Sequence, residues 1–148
     1  MYNRNELARI KQEFWTSFGR YMMPILSAGG EKINWINYKT GIKDIFFKMD
    51  VGISEAVIAI EFTGEEFQRK TNYEKFLSDR ILFEATIPGN WKWIAEYQDE
   101  NRKLVSIIRS ELKGVNITDK KDWPEIISFL KSGIIGLDNY WVMVKDFY

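Results

Sequence analysis

The chain has 148 residues, 45% of them hydrophobic and 28% charged, with six tryptophans and 16% aromatic residues, but no histidine and no cysteine. That composition excludes a Ser-His-Asp triad, a thiolate nucleophile, a zinc-finger ligand set and any disulfide, leaving carboxylate, lysine, hydroxyl and backbone chemistry. Twenty-one basic and twenty-one acidic residues cancel, so no global field draws the chain to nucleic acid or to an anionic membrane.

In chain order, Leu7, Ile10, Phe14, Phe18 and Tyr21 recur every three or four residues. They predict an amphipathic first helix, widened by Trp15 and Met22. Pro24 ends it, because the residue before a proline avoids the helical region. The early charges replace the apolar stretch of a signal peptide. No apolar run reaches the roughly 20 residues of a membrane span. The expected setting is the cytoplasm, without a membrane partner.

Three strands are expected next. Lys32–Tyr38 is β-rich and stops at a turn, Lys39-Thr40-Gly41. Ile42–Val51 alternates Ile45, Phe47, Met49 and Val51 with Asp44, Lys48 and Asp50. Ser54–Phe62 is apolar at its centre, which places it inside the sheet. Gly64–Thr86 reads as one helix closed by Pro88-Gly89-Asn90, although its last turn, Ile81–Ile87, also fits a short strand. Trp91–Tyr97 and Arg102–Leu112 form a hairpin. The segment Lys113–Lys121 reads as a polar loop. From Trp123 onward, Ile127, Leu130, Ile134, Leu137, Trp141, Val144 and Tyr148 step by four and three, a heptad-spaced seam on a final helix. Ile126, Gly133 and Tyr140 form a second stripe, expected to be free for a partner.

The order α-β-β-β-α-β-β-α predicts a single α+β domain over 1–148. Its sheet is mainly antiparallel or mixed, with about five strands and three helices packed on it.

Four segments, EFWTSFGRYM (13–22), EKINWINYKTGIKDIFFKMD (31–50), AIEF (59–62) and DWPEIISFLKSGIIGLDNYW (122–141), give the chain a resemblance to the bacterial family called domain of unknown function 4268. Members similar to it sometimes lie behind a domain that looks like a restriction-type nuclease. The resemblance therefore implies an accessory module, not the catalyst, and carries no established activity.

Three constellations are candidates for function. Asp44, Lys48 and Asp50 on one strand face, with Glu61 at the end of the next strand, are the residue types that hold Mg²⁺ and orient water in phosphodiester cleavage. The element order also resembles a restriction-endonuclease core. Such a core carries Glu-x-Lys on its second acidic strand, whereas here the stretch is Glu61-Phe62-Thr63. A solvated face of paired charges is the commoner outcome. Trp35, Tyr38, Trp91, Trp93 and Tyr97 on strands are candidates for stacking single-stranded nucleic acid, with burial in the core as the commoner fate of such residues. The C-terminal helix, probed through Tyr140, is the candidate surface for a homodimer or a partner domain. The favoured expectation is a non-catalytic interaction or accessory domain with no cofactor, Mg²⁺ entering only under the nuclease alternative.

Overall fold

A computed structural model describes residues 2–148. Four helices and a four-stranded antiparallel sheet make an α+β fold: α1 Arg4–Met22, β1 Ile45–Val51, β2 Glu55–Phe62, α2 Glu66–Ser78, α3 Arg80–Thr86, β3 Lys92–Gln98, β4 Leu104–Lys113 and α4 Trp123–Val144. Short 3₁₀ turns precede α4 at Lys120–Asp122 and follow it at Lys145–Phe147. The sheet order is β1-β2-β4-β3. Two hairpins are joined through β2 and β4, and the apolar β2 is interior, as its composition predicts.

Pairing places Phe47 opposite Ile60 and Ile45 opposite Phe62, while Ile60 and Trp93 both face Ile108. This face meets the helices. Phe47 packs edge-on against Trp141 of α4, Phe62 against Phe76 of α2, and Trp93 against Phe83 of α3. Gly133 of α4 lies so close to the sheet that a Cβ there would sit 2.9 Å from Cδ1 of Ile58. The opposite face is charged. Lys48, Ala59, Arg109 and Lys92 form one cross-strand row. Glu111 pairs with Lys92, Arg109 and Lys113. The Lys113 hydrogen bond, followed by the other cations, holds the Glu111 carboxyl below its usual range.

Three expectations need correction. Lys32–Tyr38 is not a strand. The Asn34 carboxamide oxygen accepts the backbone N–H groups of Ile36 and Asn37, and this local turn outcompetes a sheet ladder. The segment belongs to an irregular strap, residues 23–44, so the sheet has four strands. The expected helix over 64–86 is two helices, which raises the helix count to four. The backbone N–H of Asp79 bonds the carbonyl of Phe76 and ends α2, while its own carbonyl accepts from Phe83 and begins α3; the apolar period runs straight through this break. Lys113–Lys121 is more than a polar loop, since Val115 and Ile117 are buried in the core. No described helix is long and apolar enough to cross a membrane.

One buried cation supports the β3 irregularity. The pairing of β3 with β4 shifts register between Ile94 and Tyr97. Arg69 of α2 donates to the carbonyl of Ala95 at 3.0 Å and to Ser106 Oγ at 2.8 Å, and so satisfies the carbonyl the bulge releases.

Candidate functional site

The three strand carboxylates do not converge. Asp44 sits before β1 at a φ of 68°, the left-handed region, and its carboxylate accepts from Thr63 Oγ1 at 3.1 Å. Glu61 pairs with Lys48 at 3.0 Å, diagonally across the β1–β2 ladder. Asp50 accepts from its neighbour Val51 and lies 3.9 Å from Lys11. Each carboxylate has its own local partner. Among the described residues, no group of three or more acidic side chains is close enough to hold a metal ion.

The aromatic candidates divide. Trp35 is 3% exposed and lies in the strap, where its indole N–H donates to the carbonyl of Ile25 at 3.0 Å. Trp91 and Trp93 share one fate, as alternation predicts. Both are half-buried and meet the Phe83 ring edge-on. The Trp93 indole nitrogen is buried without a hydrogen-bond partner among the described residues, and the Arg80 guanidinium lies 5.2 Å from its ring. Tyr97 stands on the charged face, where Arg109 reaches its hydroxyl at 3.4 Å. These rings do not form one stacking platform.

Tyr140 is not on a free stripe. It is 0% exposed, and its hydroxyl donates to Asp79 at 2.9 Å. Ile126 and Gly133 are buried with it. The expected second stripe faces the core because the sheet, α2 and α3 surround α4 on more sides than a single seam covers. Burial first, then the Asp79 hydrogen bond, pushes the Tyr140 phenol far above its ordinary range.

Two concave surfaces flank the C-terminal half of α4. The first lies between α4 and the strap, a cavity of about 540 Å³ lined by Ser27, Glu31, Ile33, Tyr38, Lys39, Asp138, Val142 and Lys145, among others. Tyr38 Oη donates to Asp138 Oδ1 at 2.5 Å, and the Ala28 N–H donates to Asp138 Oδ2 at 2.8 Å. One carboxylate thus ties the strap at two points ten residues apart. Burial, followed by the Asp138 hydrogen bond, pushes the Tyr38 phenol far above its ordinary range, which keeps it a donor. The indole of Trp141 adds a third tie, donating to the carbonyl of Thr40 at 2.8 Å.

The second is a groove of about 380 Å³ between the α2–α3 junction and the end of α4, lined by Lys75, Asp79, Leu82, Met143, Phe147 and Tyr148, among others. Lys75 Nζ donates to the carbonyl of Phe147 at 3.0 Å and stands 4.9 Å from the ring of Tyr148. That backbone is held, yet the Phe147 ring is 75% exposed.

Neither concavity is visible from spacing alone. Asp138 meets partners 110 and 100 residues away. The only sequence signal was an acidic residue inside the apolar register of the final helix.

Residues 10–145 match the model of a family described as a domain of unknown function, DUF4268. None of the curated proteins and none of the solved structures matches the chain.

Proposed function

The chain belongs to the DUF4268 family, whose description names no activity, and from its surface we infer that it is a non-catalytic interaction module that pairs with a second copy of itself through the groove beside Phe147. One observation carries this reading: an exposed phenyl ring beside a hollow to which Leu82, Met143 and Val144 bring apolar surface. The Lys75 bond to the Phe147 carbonyl and the bond from the Tyr148 N–H to the Lys145 carbonyl fix the backbone that carries the ring. Leu82 and Met143 are also exposed on this groove. A projection beside a matching hollow is self-complementary under a two-fold axis: each Phe147 enters the other copy's groove. The zero net charge offers little repulsion against pairing.

Light scattering across about 10–100 μM tests it, since an interface of at least about 1,000 Å² supports a stable dimer. Wild type is expected to dimerise, and Phe147→Glu to be monomeric with an unchanged melting temperature. A wild type that stays monomeric throughout would end the self-pairing reading. A dimer indifferent to both Phe147→Glu and Met143→Glu would move the contact elsewhere, with the β1 edge the next place to look.

A further inference from the structure

The cleft between the strap and α4 contains a buried carboxylate without an ion-pair partner among the described residues. Asp138 is 6% exposed. Its two hydrogen bonds come from a phenol and a backbone amide, both neutral donors. Among the described residues, no lysine or arginine forms an ion pair with it. A carboxylate accepts up to about four hydrogen bonds, so two acceptor positions are left on a residue that lines the cavity. A buried carboxylate without a cation is costly to keep, and a cation supplied from outside relieves that cost.

The surroundings narrow the class of ligand. The cavity, about 540 Å³, falls within the range of about 300–1,000 Å³ typical of small-molecule sites. Ile33 and Val142 give it apolar walls, and Glu31, also without an ion pair among the described residues, adds a second carboxylate to its lining. Lys39 and Lys145 line the cleft too, but both are solvent-exposed. Their charges are hydrated and screened, whereas that of Asp138 lies in a medium of lower dielectric constant. An anion at the lysines would gain little; a cation at Asp138 would gain more. Tyr38 does not serve as that cation, because its protonated form is the neutral phenol.

We propose that this cleft binds a small organic cation, an ammonium or guanidinium group on a compact apolar body, with its charge seated on Asp138. This site is separate from the Phe147 groove and does not depend on self-pairing.

Isothermal titration calorimetry with three probes of one shape tests the proposal: phenethylammonium, its neutral counterpart phenethyl alcohol and the anion hydrocinnamate. The ammonium is expected to bind with a Kd below about 1 mM, and the alcohol at least about tenfold more weakly. Asp138→Asn keeps an acceptor oxygen while removing the charge, and should weaken ammonium binding at least about tenfold. Lys145→Gln removes a competing cation and should tighten binding a few-fold; this arm decides the matter if Asp138→Asn does not fold. The proposal is overturned if the ammonium does not bind wild type. It also fails if ammonium binding survives Asp138→Asn in a folded protein, if Lys145→Gln weakens it, or if hydrocinnamate binds in its place.

Discussion

Helix α4 and the strap of residues 23–44 lie against each other, and both are rich in large apolar residues, but they are held in different ways. Leu130, Ile134, Leu137 and Trp141 of α4 are buried among rings and branched side chains from β1, β2, α2 and α3. The strap has no regular ladder. It is held by Trp35, which is buried, and by separate polar ties at Ala28, Tyr38 and Thr40, all three of which end on Asp138 or Trp141 of α4. Apolar burial is distributed and tolerant of small displacement, whereas a hydrogen bond is local and all-or-none. The difference suits a rigid backboard facing a segment able to open, and the 540 Å³ cavity lies at their boundary.

The sharpest way to test that contrast is to remove apolar volume from α4. Leu130→Ala should cost about 2–5 kcal/mol, because the side chain is fully buried and its neighbours are fixed by the sheet. Denaturant unfolding should show the loss in the global transition. A loss below about 0.5 kcal/mol would mean that α4 is not the backboard described.

The two regions also differ in how openly the sequence reveals them. The four-three stepping from Trp123 to Tyr148 marks α4 because an apolar stripe of that period has one common explanation, a buried helical face. Phe14 and Phe18 of α1 and the apolar centre of β2 were legible for the same reason. The strap misleads, because Ile33, Trp35, Ile36 and Tyr38 are all β-favouring residues, whereas the Asn34 side chain turns the backbone aside. Within the second helical stretch, Phe67 and Ile81 keep the apolar period yet are exposed, while the break at Asp79 leaves no mark in that period. The candidate sites were the least legible part. Spacing placed Asp44, Asp50 and Glu61 near one another but could not show that each has a separate partner. Asp138 depends on contacts about a hundred residues distant, which local pattern does not encode.

A smaller effect is expected when one strap tie is cut. Tyr38→Phe leaves Asp138 with one fewer donor in a buried setting, at a cost of about 1–3 kcal/mol. Hydrogen exchange should speed up in residues 23–44 and stay unchanged in α4. Equal acceleration in both would show that strap and helix open as one unit.

Gly133→Ala gives a smaller change again, from opposing terms. The added methyl would stand 2.9 Å from Cδ1 and 3.1 Å from Cγ2 of Ile58, a fully buried side chain that would have to shift. That overpacking costs about 1–3 kcal/mol, while alanine in place of glycine returns about 1 kcal/mol of helix propensity. A net loss near 1 kcal/mol in chemical denaturation is expected. A net gain would show that the contact between α4 and the sheet gives way more easily than close packing allows.

The smallest effect compares two phenols across the same boundary. Tyr38 of the strap and Tyr140 of α4 each donate to a carboxylate, and burial is the first cause that raises each above the ordinary value of 10.0. The folded protein therefore keeps these protons at a pH where the unfolded chain releases them. The stability they contribute is complete below pH 10.0 and is lost as the pH rises above it toward the folded values. Each group adds at most about 1.4 kcal/mol per pH unit to the slope. Tyr140 is sealed from solvent, whereas Tyr38 borders an open cleft that admits water. Water there stabilises the phenolate and reduces the shift, so Tyr140→Phe should flatten the alkaline fall in stability more than Tyr38→Phe does. Denaturant midpoints measured at steps above pH 10, with phenolate absorbance followed in parallel, read the two slopes. Equal flattening would mean that the strap excludes water as fully as the core, and the contrast between distributed burial and separable ties would then not extend to the cleft.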